Sequence, residues 1–344
     1  MANIAFIIGN GFNHFIYSLI DKYSEDLIFE KTSRVKADIL HEITEITQLW
    51  KRFDEIFSEL ILKSENRLNE EQLIQIVHTL FEVLPQLENF KKLISPNLFR
   101  ALTDIFDSVL LSKIQEVTDR FRQHQESGGY GNIRSLFPEF GRHFETTFST
   151  NHVCQIFTTN YDGILDALLS KPQKKYIYSD CFINTDPPSN YLQIIPDFVN
   201  EPNRKLLAHI HGSYLYEKVN GITYKQRPAG RNQNPSVVFN NPNYKLSQIS
   251  ADNVLSTYFD RFVKVMKTFN VIILVGNSLE TEPHIKVVIK KYFDRSNTKI
   301  IVCDTSPDQI ASKLKLIYNG EIRCVDMKQI YSLNQLFGTL SSQI

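Results

Sequence analysis

The sequence has no CxxC pair, no excess of either charge and no long apolar run, and each absence argues against a class of protein. Its four cysteines, Cys154, Cys181, Cys303 and Cys324, are scattered through 344 residues. A secreted disulfide scaffold is denser in cysteine, and a structural zinc module clusters its ligands. Each cysteine therefore reads as a small buried apolar residue in a reducing cytosol. Lysine plus arginine equals aspartate plus glutamate, 38 against 38. That balance argues against coating nucleic acid or an anionic membrane through bulk charge, and nucleic acid is not indicated directly. Near neutrality favours association with itself or a partner. Apolar runs such as Val271 to Val275 are far too short to span a bilayer, and the first residues show no basic leader. A cytoplasmic protein without membrane contact is expected. No internal repeat or low-complexity tract breaks the chain.

What is present is the material of a packed globular protein, with 42% apolar and 22% charged residues. Asn3 to Ile8 is a short apolar run, rich in β-branched residues, that stops at Gly9-Asn10-Gly11. It reads as a buried parallel strand. Apolar positions then recur at threes and fours, as Ile39, Ile43, Ile46, Trp50, Phe53, Phe57 and Leu60, and again from Leu73 to Leu84 and Leu98 to Phe121. This spacing predicts helices. Ser127 to Asn132, with three glycines, is a flexible turn placed to act as a hinge.

After it, strands alternate with helices. Val153–Thr158, Leu206–Ile210, Val237–Phe239, Val271–Val275 and Lys299–Cys303 read as strands, and helices follow from Gly163, His284 and Pro307. Such alternation predicts a doubly wound, Rossmann-like parallel sheet with a large helical insertion after the first strand. The expected division is an α/β core of residues 1–14 and 150–344 around a helical subdomain of residues 15–149. Lys171 to Ser250, rich in Pro, Asn and Tyr, reads as long loops bordering a cleft.

In an open α/β sheet, ligands sit beyond the carboxyl ends of the strands. Those ends carry Gly9-Asn10-Gly11, Thr158-Thr159-Asn160-Tyr161-Asp162, His211-Gly212-Ser213, Gly276-Asn277-Ser278 and Asp304. Glycines at a strand end let backbone N–H groups face a diphosphate, with the positive end of a following helix behind them. A lone GxG also serves any tight turn, and Asn13-His14 stand where a third glycine would complete the dinucleotide fingerprint. Asn160 and Asp162 suit a strand tip that orients a water and accepts hydrogen bonds, and taken alone they suit an ordinary turn. His211 has a side chain able to move protons near neutral pH, or it is a structural histidine. His209 shares its strand face, which raises the question of a metal pair, but no third ligand lies near in sequence and no metal is expected.

Taken in order, these segments resemble the sirtuin superfamily, and its bacterial anti-phage defence NADase branch more than the protein deacylases. The matching positions are Gly9-Asn10-Gly11, the T-x-N-x-D of Thr158 to Asp162, His211-Gly212, Gly276-Asn277-Ser278-Leu279 and Asp304. The resemblance covers about residues 1–14 and 150–305. It implies NAD as substrate, with Gly9, Asn10 and Gly11 on the diphosphate and Asn160 positioning a water or the nicotinamide ribose. It also implies Asp162 on the carboxamide, His211 as acid/base on the ribose hydroxyls, and Gly276 and Ser278 along phosphate and ribose. Asp304 falls at the adenosine ribose, where a carboxylate favours NAD over NADP.

Two features of the deacylases differ. Their four-cysteine zinc module is missing, and Pro196-Asp197-Phe198 stands after Asn160 rather than near the glycine turn. The resemblance therefore implies hydrolysis to nicotinamide and ADP-ribose by a regulated effector of antiviral defence, acting by abortive infection and held by oligomerisation or a regulatory protein partner. The rivals are a sensor that binds NAD or ADP-ribose without cutting it, and an ADP-ribosyltransferase or deacylase.

Overall fold

The computed structural model describes residues 2–26, 137, 139–160, 162–169, 178–184, 191–226, 235–238, 245–280 and 282–344. The helical periodicities between Ile39 and Phe121 and the glycine turn at Ser127 to Asn132 lie outside the described residues.

Six strands form one parallel sheet: β1 (Asn3–Ile8), β2 (Val153–Thr158), β5 (Leu207–His209), β9 (Val271–Val275), β10 (Lys299–Asp304) and β11 (Glu321–Asp326). Their order across the sheet is β11-β10-β9-β1-β2-β5, with every neighbouring pair parallel. The chain thus runs outward from β1 to β2 and β5, then returns to the other side of β1 for β9, β10 and β11. The order reverses between β1 and β9. Sequence composition follows position. Central β1 and β9 are apolar almost throughout and buried, while edge strand β11, EIRCVD, keeps charged residues and is half exposed. A strand covered on both faces needs apolar side chains on both, so it loses the alternation of a half-exposed one.

Both faces are indeed covered. Phe6 meets Phe144 and Phe148 at ring separations of 4.9 and 5.1 Å. These come from helix Phe140–Phe144 and the π-helical turn Glu145–Ser149 that continues it. Phe337, from the C-terminal helix Leu333–Gln343, closes the same cluster. Phe157 is in register with Ile7, and so points to the opposite face from Phe6; it meets Phe262 at 5.1 Å. Phe262 belongs to helix Asn253–Thr268, which buries Val254, Leu255, Tyr258, Phe262, Val265 and Met266 at helical spacing. That helix begins at Asp252, whose carboxylate accepts from the Val254 and Leu255 amides, as an N-cap should. The buried Gln155 on β2 is satisfied from the same side by the Arg261 guanidinium at 2.9 Å.

The stretch expected to be long loops contains a second sheet. Strands β3 (Phe182–Asn184), β4 (Tyr191–Ile194), β6 (Gly212–Val219), β7 (Ile222–Gln226) and β8 (Pro235–Val237) pair in the order β3-β4-β7-β6-β8, all antiparallel. The strand expected at Val237–Phe239 is β8, shifted to Pro235–Val237 and placed in this sheet. Asn220 and Gly221 join β6 to β7 with φ of 51° and 81°, the left-handed pair of a tight hairpin turn. The first helix after β1 runs over Asn10–Asp26, across the expected boundary at residues 14 and 15. Its Phe12, Phe15, Ile16 and Leu19 are buried in the common core.

Candidate functional site

Strand register places the candidate residues along one line. Thr158 pairs with Ile8 and with His209, and Ile8 pairs with Val275, which pairs with Cys303. Immediately beyond that row lie Gly9, Thr159, Ile210, Gly276 and Asp304. The five segments expected to line a crevice therefore leave the sheet at one level, on its carboxyl edge. Asn160 and His211 each lie two residues past the paired Thr158 and His209, on neighbouring strands.

The β1–β9 half of this edge is made of backbone. Gly9 donates its N–H to the Val275 carbonyl at 3.0 Å, Gly11 to the Gly276 carbonyl at 2.9 Å, and Phe12 to Gly9 at 3.0 Å. A Cβ on Gly9 would lie 2.7 Å from the Gly276 oxygen, and one on Gly11 would lie 2.7 Å from the Gly276 Cα. Gly276 itself has φ of 58°, and a side chain there would overlap the Phe12 nitrogen and the Gly11 backbone. The glycines are thus required because two turns press backbone to backbone at the switch point. Their own N–H groups are spent on carbonyls, contrary to the expectation that they face a ligand. The amide of Asn10, at the start of the 17-residue helix, has no partner among the described residues, and the Asn10 side chain is exposed. Ser278 is exposed, with its hydroxyl accepting from the Glu280 amide at 3.3 Å. Asn277 is buried, donating to the Thr159 hydroxyl at 3.2 Å and accepting from the Leu279 amide at 2.9 Å. Asp304 is partly exposed, and its carboxylate accepts from the Ser306 amide at 3.0 Å.

The β2–β5 half is made of side chains. Asp162 is buried, with one carboxylate oxygen taking the Ile164 amide at 2.9 Å and the other taking the Asn13 amide at 2.6 Å. Asn13 in turn accepts from Asn160 Nδ2 at 3.3 Å. A carboxylate can only accept, so it fixes the orientation of Asn13, and Asn13 fixes that of Asn160. The Asn160 Oδ1 has no hydrogen-bond partner among the described residues. Burial pushes the Asp162 carboxyl up, against hydrogen bonds from Ile164 and Asn13 and the charge of His209. Asn13 escaped the sequence reading, where it figured only as the residue in place of a third glycine. Its position one helical turn from the Gly9 turn was the available signal.

His209 and His211 do not form a pair. The His209 ring lies between the Asn160 carbonyl at 2.9 Å and the Asp166 carboxylate at 3.0 Å, and so supports the Asn160 turn from below. Burial opposes its charge, but Asp166 outweighs burial and raises its pKa; the Asp166 carboxyl is held low against its own burial by His209. His211 instead reaches β-strand-distant residues. Its Nε2 lies 3.1 Å from His284 Nε2 and 3.2 Å from Glu282 Oε2. Lys245 holds the other Glu282 oxygen at 3.0 Å. All four residues are buried. Despite its burial, the Glu282 carboxyl is lowered to about 2 by the His211 charge and hydrogen bond and by Lys245. Burial, with the charge of His211, lowers His284 to about 3, so its ring is neutral. The Nδ1 of His211 has no partner among the described residues. Glu282 and His284 were not singled out by sequence, because nothing in their spacing relates them to a residue more than seventy positions earlier.

Residues 155–323 match the family described as SIR2-like domain. The SIR2-like match spans just under half of the chain, from β2 into β11. It supports a place in the sirtuin-like superfamily and an NAD-related function. It contains Asn160, Asp162, His211, Gly276, Ser278, Glu282, His284 and Asp304, and leaves β1, Gly9, Asn10, Gly11 and Asn13 outside. No curated protein matches the sequence. Among the described residues, no helix is long and apolar enough to cross a membrane.

Proposed function

We propose that the chain is an NAD glycohydrolase, splitting the nicotinamide–ribose bond to release nicotinamide and ADP-ribose. The observation that carries this reading is the convergence of Asn160, Asp162 and His211 on adjacent strand ends beside the switch-point glycines, in a stretch that matches a SIR2-like domain.

The roles follow from the hydrogen bonds each group has left. The Asn10 amide and the start of its helix offer a donor and positive potential to a diphosphate. Asp304 meets the adenosine ribose diol. Asp162 keeps lone pairs for the carboxamide while holding Asn13. The Oδ1 of Asn160, aimed through Asn13, accepts from a water and turns that water's lone pair toward the anomeric carbon. At His211, the Glu282 carboxylate 3.2 Å from Nε2 favours the ring proton on that side and leaves Nδ1 as the acceptor for a ribose hydroxyl. Electron density on that hydroxyl stabilises the oxocarbenium-like transition state, in which the ribose becomes positive as nicotinamide leaves. A buried carboxylate that fixes the tautomer of a working histidine is a familiar arrangement in acid–base sites.

An uncontrolled NADase would drain its own cell. The same reading therefore makes the chain a regulated effector of anti-phage defence, cytoplasmic, restrained through self-association or a protein partner. Low basal turnover by the isolated chain is the corresponding expectation. Mass spectrometry of NAD after incubation with the protein, with and without a protein acceptor, tests the reaction. Equal yields of nicotinamide and ADP-ribose in both arms support hydrolysis. ADP-ribose or an acyl change on the acceptor identifies a transferase or deacylase, and intact NAD bound to the protein identifies a sensor.

A further inference from the structure

The far side of His211 holds a cluster that these roles do not use. The Nε2 atoms of His211 and His284 and Oε2 of Glu282 form a triangle with sides of 3.1, 3.2 and 3.6 Å. Among the described residues, they are the group of histidine, cysteine and carboxylate ligand atoms able to surround one ion, and all three residues are buried. The separations are those of a metal site. Tetrahedral zinc with bonds of roughly 2.0–2.1 Å keeps its ligands about 3.3 Å apart. Three such atoms form one face of the tetrahedron and leave the fourth position for water.

The surroundings favour this use. Lys245 holds Oε1 of Glu282 at 3.0 Å, which leaves Oε2 to the histidines. His284 Nδ1 is buried without a partner, so the ring can keep its proton there and present Nε2 as a lone pair. His211 Nδ1 likewise has no partner among the described residues. Both rings can therefore ligate in neutral form without breaking a hydrogen bond at the other nitrogen. Two imidazoles and one carboxylate suit zinc, and to a lesser degree nickel, cobalt or copper, while magnesium and calcium prefer all-oxygen sites.

We propose that His211, Glu282 and His284 bind one zinc-class divalent ion. The ion and catalysis compete for the same ring. A metal on Nε2 displaces the single proton of the neutral ring from that nitrogen to Nδ1. That converts Nδ1 from an acceptor into a donor, and it can no longer take a hydrogen bond from a ribose hydroxyl. Metal loading thus switches hydrolysis off, a consequence that rests on the proposed NADase reading; the site itself does not.

The test uses the full chain stripped by chelator and titrated with zinc sulfate alone. One zinc per chain is expected, and X-ray absorption should show two imidazoles and an oxygen in the first shell. His284→Ala and Glu282→Gln should each weaken binding by more than the roughly 10–100-fold that loss of an outer-shell partner costs, with circular dichroism confirming their fold. Absence of stoichiometric zinc, or a first shell without the imidazole pair, overturns the site. NAD cleavage should fall with zinc occupancy and return on chelation. If zinc binds through the imidazole pair while cleavage persists, the metal site stands and the assignment of His211 as the catalytic base falls.

Discussion

The two halves of the sheet's carboxyl edge are built from different materials. Beside β1 and β9, the turns at Gly9 and Gly276 interlock through backbone atoms, with Gly9 and Gly11 donating to the Val275 and Gly276 carbonyls and Gly276 donating to Cys303. Beside β2 and β5, a side-chain network runs from Asp162 through Asn13 to Asn160, with His209 beneath and His211 adjoining. The first arrangement is rigid because there is no room for anything to move. The second is polar, buried and adjustable by single hydrogen bonds, the material that the proposed chemistry on a ribose would use. The difference implies that damage to the glycine half should appear as lost stability, and damage to the network as lost turnover in an intact fold.

The largest effect is expected at the reacting end. Asn160→Ala and His211→Ala should each reduce nicotinamide release by about 100-fold to 10,000-fold, the range for one acid–base group. Far-UV circular dichroism and the melting temperature should stay close to those of the parent. Full activity in both variants would remove the mechanism. Gly276→Ala should do the reverse, destabilising the fold by at least about 3 kcal/mol through overlap and a left-handed backbone. Its natural comparison is Gly338→Ala, where a Cβ meets nothing within 4 Å and a helical alanine gains up to about 1 kcal/mol. Urea denaturation of both variants measures the contrast, and equal effects would show that the turns at the switch point are not close-packed.

Asn13→Ala should fall between. It leaves Asp162 and Asn160 in place but removes the amide that orients one from the other. A roughly 10–100-fold loss in kcat is expected, as for other outer-shell partners, with KM little changed. Parallel losses in kcat and in thermal stability would make Asn13 structural only.

The smallest effect is a pH dependence of stability from the ion pair of His209 and Asp166. His209 is raised above its usual 6.5, so its contribution is complete below that value and disappears as pH rises through the raised one. Asp166 is lowered from its usual 3.8, so its contribution is present above that value and disappears as pH falls through the lowered one. The stability difference between the parent and Asp166→Asn should therefore be greatest between these two usual values and narrow on both sides. A difference that is flat with pH would mean that the pair is not ionised in the fold.

The parallel sheet could be read from the sequence because each of its central strands is a continuous apolar run ending in glycine or a small polar residue. That signature depends only on burial of both faces. The antiparallel sheet was hidden for the converse reason. Its strands are short, and β3, β4 and β7 are largely half-exposed, so neither a long apolar run nor clean alternation marks them. The Asn220-Gly221 pair between β6 and β7 was the one legible sign of a hairpin. At the site, strand-end motifs were visible because chain order and sheet geometry fix where they go. Asn13 lay within the helix after β1, and Glu282 and His284 reach His211 only through the packing of the helix Pro283–Val288. Contacts of that kind are set by tertiary structure, and local pattern carries no trace of them.

The central claim is that this edge of the sheet holds NAD and that its residues break the glycosidic bond. The direct measurement mixes the purified chain, in molar excess over NAD, with the dinucleotide and follows the products by mass spectrometry over hours. Excess protein makes even restrained turnover visible. The account predicts nicotinamide and ADP-ribose in equal amounts from the parent and neither from Asn160→Ala. NAD recovered intact from the parent, or the same products from the variant, would contradict it.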